Sequence, residues 1–341
     1  MASEGIAAEA VGLEARRVGR AGRLMLRRPQ ALNALDLAMI RALHAQLRLW
    51  QDDPEIEIVI LEGEGRAFCA GGDVRRVRAE VLAGDFEAAE TFFAEEYALN
   101  AAIAHFPKPY LSLMHGACMG GGLGISVHGS DRIVTETAVF AMPETAIGFA
   151  PDVGASYFLP RLAGALGFYL GLTGARLTGA DAVHAGLGTA FVPSERLAEL
   201  GDALVRDGRA AIAHFSAPLP AYSLAPVLSA IDQSFSAESL PDILARLEAM
   251  DSDWARATLA ELRRHSPSAL CWSLTSLKAG ARMDLDSALA AELRLAQRLM
   301  RLPEFAEGVR AMLVDKDRKP RWQPARLEDV DPRMIRDLFR P

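Results

Sequence analysis

Residues 56–73 read IEIVILEGEGRAFCAGGD, and residues 110–124 read YLSLMHGACMGGGLG; the fold is decided by what these two stretches share. Each opens on a short apolar run rich in branched residues and ends in a cluster of glycines. Ile56-Glu57-Ile58-Val59-Ile60-Leu61, bounded by Pro54 and Gly63, predicts a strand, and Tyr110 to His115 predicts a second. Phe68-Cys69-Ala70-Gly71-Gly72-Asp73 and Met119-Gly120-Gly121-Gly122-Leu123-Gly124 then supply loops of small residues that lead toward helices. Such loops serve as packing devices or let a ligand approach unpaired backbone N–H groups. Neither has GxGxxG spacing, and no GKS or GKT phosphate loop occurs, so nicotinamide and nucleotide-triphosphate chemistry lose ground.

Outward from these stretches the same grammar continues. Val11 to Arg27 alternates apolar and polar residues about Gly19-Arg20-Ala21-Gly22, as a hairpin would. Asp36 is a plausible N-cap for a helix with Met39, Ile40, Leu43, Leu47 and Trp50 on its apolar face. A helical region follows Asp73 to about His105, and Asp131 to Thr135 and Ala138 to Ala141 predict further short strands. Strand, loop and helix thus recur, which suggests stacked ββα units, an α/β architecture, rather than a doubly wound dinucleotide fold. From about Ser194 the pattern is almost wholly helical, punctuated by Pro218, Pro220, Pro226 and Pro241. The expected division is a core over 11–193 and a helical region over 194–341.

Bulk properties narrow the chemistry. With 341 residues, half of them apolar, the chain is long enough to bury a sizeable core. A net charge of -7 without a basic block argues against nucleic acid and against an anionic membrane surface. Cys69, Cys118 and Cys271 are widely spaced and odd in number, with no metal-ligand spacing, and are expected as buried small hydrophobes. No GxSxG elbow and no HExxH helix is present, and no metal is implied. His115 and His128 flank the glycine run and are read as structural. The N-terminus lacks a basic, apolar targeting pattern, so a cytoplasmic protein is expected.

Two carboxyls remain as chemical candidates. Glu144 and Asp152 lie eight apart in PETAIGFAPD, a stretch nearly free of other polar side chains. Desolvation and mutual repulsion would raise at least one pKa and suit the pair to nucleophile or acid–base work, whereas solvated loop carboxylates would do neither. Glu96 shares a helix face with Phe92, Phe93 and Asn100, yet Glu95 beside it looks equally chemical.

Taken together, AFCAGGD, KPYLSLMHGACMGGG and FAMPETAIGFAPDVGASYFLPRL resemble the crotonase (enoyl-CoA hydratase/isomerase) superfamily in order and spacing. The resemblance implies a spiral of repeated ββα units with a helical C-terminal region. It also implies a CoA thioester substrate whose carbonyl oxygen is held by the N–H groups of Gly72 and Gly121. CoA is then part of the substrate, no separate cofactor is needed, and association through the helical region into a homo-oligomer is possible.

Hydratases of the superfamily carry a glutamate just after the glycine run and another in the later P-E motif; here the first position is Gly124 and the second Glu144. The chain more closely resembles the superfamily's 3-hydroxyisobutyryl-CoA hydrolases, which implies thioester hydrolysis in valine degradation. Substrate contacts are then expected at Glu96, Gly121, Glu144 and Asp152, with Asn33, Ala34, Ala70 and Asp73 along the CoA path. Glu144, Asp152, Gly72 and Gly121 are expected to be catalytic. Where that group often has a third glycine after PDVG, this chain has Ala155-Ser156. An enoyl-CoA hydratase or isomerase and a catalytically silent acyl-CoA-binding protein are the alternatives.

Overall fold

The computed structural model describes residues 12–340, so Val11, where the predicted hairpin and core begin, lies outside the described residues. Among the described residues nine strands run in chain order: β1 (Leu13–Val18), β2 (Ala21–Leu26), β3 (Ile58–Gly63), β4 (Tyr110–Met114), β5 (Ala117–Met119), β6 (Asp131–Val134), β7 (Val139–Ala141), β8 (Leu177–Thr178) and β9 (Ala190–Phe191). They form a six-stranded sheet, β1-β2-β3-β4-β6-β9, and a three-stranded sheet, β5-β7-β8. Only β1 and β2 pair antiparallel in the larger sheet; from β2 onward every neighbour is parallel. Parallel central strands are covered on both faces and therefore read as unbroken apolar runs. All five residues of β4 and the first five of β3 are buried accordingly.

The repeated unit is visible in how the chain alternates between the two sheets. β4 and β6 lie in the larger sheet, and β5 and β7, which follow each of them, lie in the smaller. Single bridges from Leu35 to Gly72 and from Cys69 to Cys118 continue the second row through the loops after β2 and β3. This is the ββα spiral.

By contacts the chain forms two compact units. One comprises residues 12–72, 95–140 and 176–223, and the other residues 73–94, 141–175 and 224–340. In the first unit, Ile58, Ile60, Leu111, Leu113, Ile133 and Val192 meet Leu200, Ala203, Leu204 and Phe215 from the helices Leu197–Asp207 and Ala211–Phe215. Helix Leu37–Gln51 begins at Asp36, whose carboxylate accepts the Met39 N–H, and it buries Met39, Ile40, Leu43, Leu47 and Trp50 as its spacing predicts.

The second unit is mostly helical. Its helices Leu240–Glu248, Asp253–Leu262, Pro267–Gly280 and Leu285–Leu299 each start at a Ser or Asp whose side chain accepts a first-turn N–H: Ser239, Ser252, Ser266 and Asp284. Among the described residues no helix is long and apolar enough to cross a membrane.

Beyond shifts of one residue at strand ends, local boundaries differ from the sequence reading in three places. β3 begins at Ile58: the Ile56 N–H donates to the Asp53 carbonyl in the turn before it, and the Glu57 N–H to the Arg20 carbonyl in the turn between β1 and β2. The helical region before His105 is two helices, Val74–Leu82 and Phe86–Ala104, parted at Gly84, whose φ of 78° ends the first. The helix fed by the second glycine run is only Gly121–Gly124.

Candidate active site

In the first unit the two glycine loops meet. Gly71 adopts φ 107°, a conformation that favours glycine, and a Cβ there would come within 3.1 Å of the Met119 carbonyl and 3.6 Å of the Gly121 nitrogen. A Cβ on Gly121 would lie 3.2 Å from the Gly72 nitrogen and would overlap Glu96 Oε1. Gly72, Gly121 and the Glu96 carboxylate are therefore immediate neighbours. Neither the Gly72 nor the Gly121 N–H donates to another group among the described residues. Two unspent amides side by side are the arrangement that stabilises a developing oxyanion.

Glu96 is 2 % exposed, whereas Glu95 turns outward to form a two-pronged ion pair with Arg41 at 2.8 and 2.7 Å. The helix Phe86–Ala104 thus separates two glutamates that the sequence left equivalent. Cys69, in the first glycine loop, is wholly buried; burial, with a smaller contribution from the nearby Glu96 charge, pushes its thiol up to about 12. It is no nucleophile at neutral pH.

The loops expected to follow CoA are laced together. Leu35 N–H donates to Gly71 C=O at 2.8 Å, and Ala70 N–H to Leu32 C=O at 3.0 Å. Asn33 is fully buried, accepts the Arg28 N–H, and donates to the carbonyls of Glu64 and Ala67. Its side chain holds the loop's shape and leaves Ala34 and Ala70, both half-buried, at the surface of that path. The Ala34 carbonyl accepts from Arg28. His115 likewise serves structure, with Nε2 2.9 Å from the Gly65 carbonyl.

The second unit holds Asp73, Glu144 and Asp152. The carbonyl of Asp73 accepts the N–H groups of Arg76 and Val77 at the start of helix Val74–Leu82. Glu144 is 7 % exposed and opens the single helical turn Glu144–Ile147; its carbonyl accepts the Phe149 N–H at 2.9 Å. Thr145, fully buried, donates its hydroxyl to the Leu172 carbonyl and meets His265 Nδ1 at 2.9 Å. Beyond the turn, Phe149 stacks on Phe93 and contacts Phe305, and its carbonyl accepts the Trp272 indole N–H. These contacts hold both ends of a loop whose only acidic side chains are Glu144 and Asp152.

Asp152 is 9 % exposed. Its carbonyl accepts the Ala155 N–H at 2.8 Å, closing a turn over Val153 and Gly154. Sequence reasoning passed over the side chain that meets this turn, Glu292, which is 2 % exposed on helix Leu285–Leu299. A signal for it existed: Ala288, Leu289, Leu295, Ala296 and Leu299 define that helix's buried stripe, and Glu292 falls within it. A lone carboxylate on an apolar stripe implies buried donors opposite.

With this fold and these two neighbouring amides, the chain belongs to the enoyl-CoA hydratase/isomerase family, whose model matches residues 21–339. It is 45% identical over 336 residues to a protein of Xenopus laevis named 3-hydroxyisobutyryl-CoA hydrolase, mitochondrial, covering 95% of this chain and 87% of that one. It is 43% identical over 332 residues to 3-hydroxyisobutyryl-CoA hydrolase 1 of Arabidopsis thaliana, covering 93% and 88%. The crystal structure of an enoyl-CoA hydratase from Rhodobacter sphaeroides 2.4.1 superposes with a TM-score of 0.92 at 43% identity over 97% of each chain.

Proposed function

We propose that this chain hydrolyses 3-hydroxyisobutyryl-CoA to 3-hydroxyisobutyrate and free CoA, a step of valine catabolism. The observation that carries the choice among family reactions is Gly124. Hydration by this family's pattern uses two glutamates to handle water, and at the first of their positions this chain has a buried glycine with no side chain to offer. The hydrolase name of relatives 45% and 43% identical supports the same choice, against the hydratase name of one similar solved structure.

In this reading the N–H groups of Gly72 and Gly121 take the thioester oxygen as it becomes an oxyanion, each donor contributing about 3 kcal/mol. Glu144 delivers an oxygen to the carbonyl carbon, either its own, through an anhydride, or that of a water it deprotonates. The C–S bond breaks as the tetrahedral species collapses, and the CoA thiolate leaves and takes the proton that the water gives up; on the anhydride route water then opens the anhydride, releasing the acid and restoring the Glu144 carboxylate. Asp152 orients or deprotonates the hydrolytic water. Glu96 accepts a hydrogen bond from the substrate's 3-hydroxyl, so that a substrate lacking it leaves a buried carboxylate unmatched. A cytoplasmic location belongs to the same proposal; the Xenopus relative is named mitochondrial, and fractionation of the source cells decides.

Free-thiol release from 3-hydroxyisobutyryl-CoA, by the wild type and by Glu144→Gln, tests the reading. Release that depends on Glu144 supports it. Absence of thiol, with consumption of the crotonyl-CoA chromophore instead, assigns the chain to the hydratases.

A further inference from the structure

We infer that Glu292 is a positioning residue for Asp152, holding the turn that carries it by accepting three hydrogen bonds from the residues just beyond. The inference rests on the role proposed above for Asp152. Glu292 Oε2 accepts the Gly154 N–H at 2.6 Å, and Oε1 accepts both the Ser156 N–H at 2.8 Å and the Ser156 hydroxyl at 2.6 Å. Every donor lies two to four residues past Asp152, and the carboxylate that gathers them comes from a helix 136 or more residues away. The turn is thereby tied to a long helix rather than left to its own local bonds.

The backbone shows what the tie must hold. Val153 has φ 53° and Gly154 φ 89°. Left-handed backbone is ordinary for glycine, but for a β-branched residue it costs on the order of 1–3 kcal/mol and persists only where surroundings over-determine it. The three side-chain hydrogen bonds from Gly154 and Ser156 to Glu292 supply such surroundings. A relaxed Val153 would swing the Asp152 side chain, because that residue's carbonyl forms the first corner of the same turn.

A burial argument excludes Glu292 as mere packing. A carboxylate at 2 % exposure loses its hydration, and an apolar residue would fill the helix stripe without that loss. Burial pushes its carboxyl up to about 7, the three hydrogen bonds pull it down, and the charge of Asp152, the ionisable neighbour that acts on it, adds to the rise. Ser156 supplies two of the three donors, so the Ala155-Ser156 departure from the glycine common in the hydrolase group is matched by an acceptor.

Steady-state turnover of 3-hydroxyisobutyryl-CoA by Glu292→Gln, Asp152→Asn and their combination tests the inference, with thermal melts giving the folded fraction. Glutamine keeps the shape and one acceptor but turns an N–H group toward the Gly154 N–H. The expected result is a kcat lower by about 10- to 100-fold at nearly wild-type KM, as for other misplacements near 1 Å. No further loss is expected when Glu292→Gln is added to Asp152→Asn. Wild-type kcat in folded Glu292→Gln, beside a slow Asp152→Asn, overturns the inference and leaves the Asp152 role standing. Wild-type kcat in Asp152→Asn removes that role, and the inference with it. Should Glu292→Gln fail to fold, Ser156→Ala decides, since it deletes one of the three bonds: a fall of about 3-fold in kcat at unchanged KM supports the tie, and an unchanged kcat overturns it.

Discussion

Gly121 lies so close to Glu96 that a single methyl on its Cα would overlap the Glu96 carboxylate. The same glycine carries one of the two amides proposed to hold the thioester oxygen, so the position is constrained twice. Gly121→Ala is expected to displace the carboxylate and shift the amide together, lowering kcat by about 100- to 1,000-fold, the usual loss of one oxyanion donor. Thiol-release kinetics on folded variant check this; activity within a few-fold of wild type would separate Gly121 from the reaction.

Glu96 and Glu95 make a matched pair of experiments. On the proposed role, Glu96→Gln loses preference for 3-hydroxyisobutyryl-CoA over isobutyryl-CoA by at least about 10-fold, because the acceptor for the 3-hydroxyl is weakened. Glu95→Gln breaks only the solvent-facing pair with Arg41, and turnover and melting temperature are expected to stay close to wild type. Competition between the two thioesters reads the first; an equal effect of both variants would refute the division of labour.

Beneath Glu144, Thr145 links the Leu172 carbonyl and His265. Thr145→Val keeps the shape and removes the hydroxyl from a fully buried place, so a loss of about 1–2 kcal/mol in unfolding free energy is expected. Denaturant titration measures it. Unchanged stability would show that His265 and the Leu172 carbonyl, already 3.2 Å apart, suffice for each other.

Stability should also respond to pH through Glu292. Its carboxyl is held up to about 7 in the fold, above the ordinary carboxylate range it has when unfolded. Between the two values the folded chain keeps a proton that the unfolded chain has lost, so this group's contribution falls as pH rises toward 7 and is level above it. Across that window the change is on the order of 1–3 kcal/mol. Unfolding free energies at pH 5 and pH 8, in wild type and Glu292→Gln, are expected to show a slope that the variant flattens; parallel slopes would contradict it.

The parts of the site that depend on chain-local chemistry were legible. Glycine clusters at two strand exits announce backbones able to approach each other closely, and two carboxyls in an apolar loop announce their own burial, because both signals are written in consecutive residues. Asp36 and the five apolar residues of the first helix were equally local. What escaped depends on partners far along the chain. Glu95 and Glu96 are indistinguishable until Arg41 claims the former, and Glu292 acquires meaning only opposite Gly154 and Ser156. Asn33, expected on the CoA path, turns its side chain inward to carbonyls more than 30 residues away, a contact that adjacent residues do not reveal.

The doubled glutamate at 95 and 96 has a consequence for how the chain tolerates errors of length. An α-helix turns about 100° with each residue, so its rotational phase, not the identity of a residue, selects the side chain that faces inward. Insertion of one residue between Phe86 and Glu95, with the start of the helix held, would carry Glu95 into the place Glu96 now holds, at the cost of the Arg41 pair and of turning Glu96 into the buried place of Tyr97. The repeated letter works as a spare tooth on a gear: a slip of one notch still brings a carboxylate to the glycine loop.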